Sequence, residues 1–423
     1  MSEQLHNEQP LQTHELTKVI KTIFDETPIT DIHTHLFSPS FGTLLLWGID
    51  ELLTYHYLVA EFFRTTEIPY SSFWNMSKKE QAQLIWQALF IDRTPISEAC
   101  RGVLTVLNRL GLDTTEKDLN AYREWFSQQT LSDHVNHVFQ VANLKTVVMT
   151  NDPFDPIERD YWMSSMELDS RFLTSLRLDT LILRWIETYP LLQSLGYSVD
   201  ANLTEETLSE IRRFVSDWIQ KIKPVYVAVS LPPQFDFPEH SHRGIILEQA
   251  ILPVTRFFNI PLALMLGVTR SVNPELKLAG DSVGMASLRP IESLCEKYPQ
   301  NKFMFTMLSR ENMHSACVTA RKFRNLMPFG CWWFLNNPSL IEEITTMRIE
   351  LLGTTFIPQH SDARVLEQVI YKWEHTRNIL LKVLTEQYGK IVATGWKVTP
   401  SDVKRDISNW FGGNFWKFLE SKF

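Results

Sequence analysis

Residues 28–36 read PITDIHTHL, an apolar, β-favouring run that ends in two histidines separated by one residue. In a strand, side chains alternate between faces, so His33 and His35 point the same way and their rings converge on one place. On a helix they diverge. The strand reading decides the fold, because seven runs of similar character follow: 144–151 LKTVVMTN, 172–178 FLTSLRL, 224–231 PVYVAVSL, 260–267 IPLALMLG, 302–308 KFMFTML, 325–334 NLMPFGCWWF and 351–360 LLGTTFIPQH. Most are nearly continuous apolar stretches, the mark of strands buried on both faces of a parallel sheet.

Helical patterns lie between the runs. Leu288, Ile291, Leu294 and Cys295 form one stripe before the sixth run, and Cys317, Ala320 and Phe323 another before the seventh. Parallel strands require such crossovers. Eight strands alternating with helices predict an α/β fold of the (β/α)8 TIM-barrel type, whereas an open doubly wound sheet more commonly has fewer strands and a Gly-rich first turn. The surplus length lies after the first strand. The expected organisation is residues 1–37 as N-terminal helix and first strand, 38–143 as an inserted helical cap, and 144–423 as the rest of the barrel with C-terminal helices. In HELTKVIKTIF, Leu16, Val19, Ile20, Ile23 and Phe24 make an amphipathic stripe suited to closing the barrel's bottom.

Composition narrows the function. The 423 residues carry a formal charge of −8 with both signs interspersed, so no basic stripe invites nucleic acid. No apolar run is long enough to span a membrane, and the acidic N-terminal stretch resembles neither a signal nor a transit peptide, which makes the cytoplasm the default. The four cysteines form no CxxC pair, and neither GxGxxG nor GxxxxGK[ST] occurs.

In a barrel of this kind the active site lies at the C-terminal ends of the strands. There the chain places His33, His35, Asn151, Asp152, Arg177, Arg310, Trp332, Asp362 and Arg364. Two neutral imidazoles suit zinc and related divalent metals, and Asp362, brought beside the first strand by barrel closure, adds an anionic ligand. Arg177, Arg310 and Arg364 suit a carboxylate or phosphate, or else salt bridges to Asp152, Asp179 or Glu311. Trp332 and Trp333 alternate along a strand, so one faces the interior and one the outer helices. His56 and Tyr57 start the insertion. His56 is either a packed helical histidine or a pocket residue; Tyr57 is either a phenolic proton donor or filler of the cap interface.

In DIHTHLF, MTNDPFD, LRLD, FGCWWF and HSDAR the chain resembles uronate isomerase, a member of the amidohydrolase superfamily, from about residue 28 to the C terminus, with TYHYLVAE of the insertion included. The resemblance implies interconversion of D-glucuronate with D-fructuronate and of D-galacturonate with D-tagaturonate. It implies one divalent metal, zinc by preference, on His33, His35 and Asp362; His56 and Tyr57 entering the pocket; and Arg177 and Arg364 on substrate. Many family members carry MLGH after the fifth strand, where this chain has MLGVTR, so it resembles a divergent subgroup with three protein ligands. An aldose-to-ketose conversion moves a proton from C2 to C1 through an enediol, with either Asp362 or Tyr57 as its carrier. The alternatives are a mononuclear hydrolase or decarboxylase, and a non-catalytic sugar-acid-binding protein. A homo-oligomer is compatible with the sequence.

Overall fold

The runs 144–151, 224–231, 260–267 and 302–308 each become one strand. In the computed structural model, which describes residues 9–164 and 167–423, these are β2 (Leu144–Val148), β5 (Val227–Leu231), β6 (Leu262–Leu266) and β9 (Phe303–Met307). The first run yields only β1 (Ile29–Asp31), and the third splits into β3 (Phe172–Leu173) and β4 (Leu176–Arg177). At the break the Thr174 hydroxyl donates to the Ile222 carbonyl and the Ser175 hydroxyl to that of Met149, each at 2.7 Å. The backbone pairing itself runs on through the break, the Ser175 amide donating to Met149 and the Asn151 amide to Ser175, each at 3.0 Å.

All these strands pair in parallel, β1-β2-β3 in one ladder and β10 (Leu326–Pro328)-β9-β6-β5-β4 in another. A single bridge, Asn151 to Leu176, joins the ladders, and another, Phe329 to Ile357, ties the end of β10 to the segment in the eighth place. The ring closes where the Asp362 amide donates to the His33 carbonyl at 3.1 Å and the His35 amide to that of Ala363 at 2.7 Å. This is the expected TIM barrel, with one difference. The eighth run forms no strand: Leu352 ends a helix begun at Pro338, Gly353 turns the chain at φ 63°, and Pro358, lacking an N–H, ends pairing just after Ile357. An extended segment fills the eighth place.

The barrel interior is an apolar cluster that includes Ile32, Val148, Tyr226, Ala263, Met265, Met304 and Phe329. Its floor departs from the expectation for the N-terminal helix. That helix, Thr13–Glu26, buries Leu16, Ile20, Ile23 and Phe24 but packs outside, along the helices Gln368–Ala393 and Pro400–Ser408. The interior cluster is joined instead by Phe415 and Phe418 from the last helix, Asn414–Glu420, with the Phe415 ring edge-on to Tyr226 at 6.4 Å. Phe415 is fully buried. Phe415→Ala is therefore expected to cost about 3–5 kcal/mol, read as a lower urea midpoint at unchanged slope. A loss under about 1 kcal/mol would return that aromatic plug to a peripheral role.

Between β1 and β2 the chain is helical, as its spacing predicts. The helix His56–Phe63 buries Leu58, Val59 and Phe62 and faces the segment Pro274–Gly280. Glu98–Arg109 and Leu131–Ala142 lie instead along Gln368–Ala393, on the barrel's outer wall. Just after β6 a two-stranded antiparallel hairpin, β7 (Val268–Thr269) with β8 (Ser282–Val283), leaves the barrel and overhangs its mouth.

Candidate active site

Beyond Asp31 the first run stays extended although it forms no ladder. Thr34 donates its amide to Val148 on one side, and His35 pairs with Ala363 on the other. The alternation expected of a strand is kept, so both imidazoles enter the same space, with ring centres 5.4 Å apart. Asp362 Oδ1 lies 3.6 Å from His33 Nε2 and 3.4 Å from His35 Nε2. The three residues offer ligand atoms within 4.8 Å of one another.

Several contacts hold this geometry. Asp362 adopts φ 54°, a left-handed conformation that Asp tolerates better than most residues. Asp31, fully buried, accepts from the Ser361 amide at 3.0 Å and the Trp373 indole N–H at 2.8 Å, which pins the segment carrying Asp362 to the first strand. Burial pushes its carboxyl up to about 6, while those hydrogen bonds hold it down. The Tyr226 hydroxyl donates to the Ile32 carbonyl at 2.9 Å and so accepts from His33 Nδ1 at 3.0 Å. That leaves Nε2 with its lone pair toward Asp362. Burial lowers the His33 pKa to about 3 and that of His35 well below its ordinary value, so both rings are neutral.

These residues fit a divalent cation: two neutral imidazole nitrogens face a carboxylate oxygen that is buried and has no hydrogen-bond partner. An orphaned acceptor of that kind is costly unless something positive meets it.

The cluster opens on a cavity of about 230 Å³ whose wall includes Thr150, Arg177, Arg270, Trp332, Trp333 and Arg364. Arg177 is both a cavity residue and half of a salt bridge, its guanidinium bonded to Asp179 Oδ2 at 2.9 and 2.5 Å. Asp179 Oδ1 in turn accepts from the Ser230 amide at 2.8 Å. Arg364 has no ion-pair partner among the described residues. His56 also lines the cavity, half-buried, with both ring nitrogens out of solvent and neither bonded. Tyr57 packs behind it, ring centres 4.6 Å apart, and does not line the cavity wall.

Besides Tyr57, three expectations are placed differently. Arg310 sits outside, exposed and bonded to Glu343 at 3.0 and 3.1 Å, because its side chain leaves the mouth along a short helical turn. Asn151 and Asp152 are taken by Glu158: the Asn151 side-chain amide donates to Oε1 at 2.8 Å and the Asp152 backbone to Oε2 at 2.9 Å. Neither lines the cavity, where Thr150 stands instead. Trp332 and Trp333 both face it, since the chain there is not a strand: Trp333 begins a short 3-10 turn with φ 45°. A bulky residue in that region is strained, a cost of order 1–3 kcal/mol that concentrates at functional sites. Gly330, two residues before the tryptophan pair, must be glycine, because a Cβ would fall 1.9 Å from His360 Nδ1.

Sequence reasoning missed Asp31, Tyr226 and Arg270, whereas Asp179 is the salt-bridge partner it offered for the mouth arginines. Tyr226 is one aromatic in an apolar run, and nothing local marks its reach to His33. Arg270 had a signal: it stands in MLGVTR, the stretch that departs from the family pattern, and the β7–β8 hairpin carries it over the cavity. There it is bonded to Asp281 at 2.5 Å and lies 5.9 Å above the Trp333 ring.

No protein-family model matches the chain, and no curated protein sequence matches it. Solved structures do. A uronate isomerase from Bacillus halodurans superposes with a TM-score of 0.96 at 54% identity, over 97% of each chain. The chain belongs to the uronate isomerase family. A uronate isomerase from Thermotoga maritima (TM-score 0.76, 15% identity, 94% of this chain and 97% of that one) and a glucuronate isomerase from Caulobacter crescentus (TM-score 0.75, 12% identity, 98% and 96%) share its fold. Membership of the uronate isomerase family makes this chain an isomerase, and neither the hydrolase nor the binding-protein reading is favoured.

Proposed function

We propose that the chain interconverts D-glucuronate with D-fructuronate and D-galacturonate with D-tagaturonate, by proton transfer between C2 and C1. One observation carries this reading: an unpartnered carboxylate oxygen on Asp362, beside two neutral imidazoles, opens on a small cavity edged by Arg177, Arg270 and Arg364. Such a site takes a small anionic sugar acid and has a base within it.

His33, His35 and Asp362 would hold the divalent ion, zinc on this donor set, and when bound it supplies positive charge for the uronate carboxylate and for the enediolate. The proton steps belong to the chain's own residues. Asp362, a carboxylate, takes the proton from C2. Tyr57 stands behind His56 and off the cavity wall before substrate binds; its pKa, pushed well above the ordinary value by burial, makes it a neutral phenol, and in the substrate-bound site we assign it the donation to the oxygen at C1. The resulting enediol then gives its O2 proton back to Tyr57, while Asp362 returns its proton to C1. Both groups end as they began. His56 and Arg364 bond the sugar hydroxyls, and Arg177, fixed by Asp179, holds the anionic group.

Arg177→Lys keeps the charge but loses the planar fork that Asp179 orients. It is expected to lower kcat/KM by roughly 10- to 1,000-fold, a lost charge-assisted bond of ~1.5–3 kcal/mol plus misplacement. Unchanged kinetics would leave Arg177 a structural partner of Asp179 alone.

No helix among the described residues is long and apolar enough to cross a membrane. All four cysteines are buried free thiols, which suits the reducing cytoplasm we propose as its compartment. A panel of hexuronates, each followed for loss of aldehyde and gain of ketose, tests the activity. Turnover of none, with the metal supplied, would refute it.

A further inference from the structure

The helix Gln368–Ala393 leaves the eighth barrel position and carries Lys372, only 4% exposed. Burying an ammonium is costly unless a carboxylate or several acceptors meet it. Lys372 makes no ion pair among the described residues. Its Nζ lies instead over two aromatic faces, 5.4 Å from the centre of the Tyr57 ring and 5.0 Å from that of Tyr371. Tyr371 cannot move aside: the helix Glu98–Arg109 presses on it so closely that a Cβ at Gly102 would fall 2.7 Å from its ring. Tyr57 is confined from the other side by Tyr55 and His56, at ring distances of 4.9 and 4.6 Å. The acidic groups in the neighbourhood are Glu98, already bonded to Arg101 and His375, and Asp362.

We propose that Lys372 is a positioning residue for the isomerisation, its ammonium seated on the ring of Tyr57 to fix that ring and to favour the negative charge its oxygen acquires on giving up a proton. The inference rests on the reading of Tyr57 as proton donor. Donation from a largely buried phenol leaves a phenolate with little water to solvate it, and a cation on the ring face stabilises the phenolate more than the phenol. Lys372 gains and loses no proton in the cycle. Burial brings its pKa down to about 8, which leaves the ammonium mostly charged at neutral pH. The same charge reaches His56 and His360, and Tyr55, Tyr371 and Glu98 are the further titratable groups on that side of the site.

The test uses Lys372→Met, which keeps the length and apolar contact of the stem and removes the charge. Replacing a buried unpaired cation by a hydrophobe is neutral or stabilising for a fold, so Tm is expected unchanged or higher. The kcat for a hexuronate is expected to fall about 10- to 100-fold, KM to stay within about threefold, and metal content to stay full. In a Tyr57→Phe background the same substitution is expected to lower kcat by less than about threefold, because the group it acts through is gone. Should the Met variant fold poorly, Lys372→Gln is read on the same scale. Unchanged kcat, or an equal loss in both backgrounds, overturns the proposal. Wild-type protein that converts no hexuronate refutes the activity itself and this role with it; wild-type turnover beside an unimpaired Lys372→Met refutes only the role of Lys372.

Discussion

Asp362→Asn is expected to leave a folded protein that retains little metal and turns over hexuronates roughly 10²- to 10⁴-fold more slowly from the lost base alone, and more slowly still from the lost charge at the cation site. Asparagine is the informative replacement. Asp362 holds φ 54°, and Asn tolerates that left-handed conformation about as well as Asp, so the backbone loses nothing. Its amide hydrogen bond to His33 comes from the main chain and survives. What disappears is the one anionic oxygen facing two neutral imidazoles, at 3.4 and 3.6 Å. Metal content by plasma mass spectrometry and kcat by ketose formation read the two consequences separately. Full metal occupancy with normal turnover would remove Asp362 from both roles.

Tyr57→Phe carries the second large effect. The phenol lies beside His56, and burial holds its proton tightly, the condition for a donor rather than a base. Removing one positioned proton carrier costs about 10²- to 10⁴-fold in kcat. The variant keeps its ring, and with it the packing against Tyr55 and His56 and the face offered to Lys372, so stability and metal content are expected unchanged. The distinction from Asp362→Asn is therefore qualitative: one variant loses metal and rate, the other only rate. Undiminished kcat in Tyr57→Phe would leave Tyr57 as packing between the insertion and the barrel.

The features legible in the sequence are those with short-range signatures. HxH reads as two rings on one face because strand geometry has a period of two, and it does so even though the ladder stops at Asp31 and only the extended backbone continues. Apolar runs mark seven barrel strands, one of them split at Thr174–Ser175. The eighth place was harder: in LLGTTFIPQH the first two residues close a helix and Pro358 ends pairing, so an apolar run stands for an extended segment with a single bridge. Arg310 failed for a related reason. Position after a strand does not say which way a side chain leaves, and Glu343 lay on the other side. The supports of the site were invisible because they are long-range. Asp31 meets Trp373 and Tyr226 meets His33 across hundreds of residues, and no local pattern encodes either contact. The floor was misassigned because an amphipathic stripe shows that a helix packs, not against what: Thr13–Glu26 lies on outer helices while Phe415 and Phe418 fill the barrel.

The most direct test of hexuronate isomerisation at this site is carbon NMR of the metal-loaded protein incubated with D-glucuronate or D-galacturonate labelled with ¹³C at C2. The expected result is movement of the labelled carbon from a carbinol to a ketose signal, with the reaction abolished in Asp362→Asn. A labelled carbon that stays a carbinol with both sugars, or a conversion that Asp362→Asn leaves intact, would contradict it.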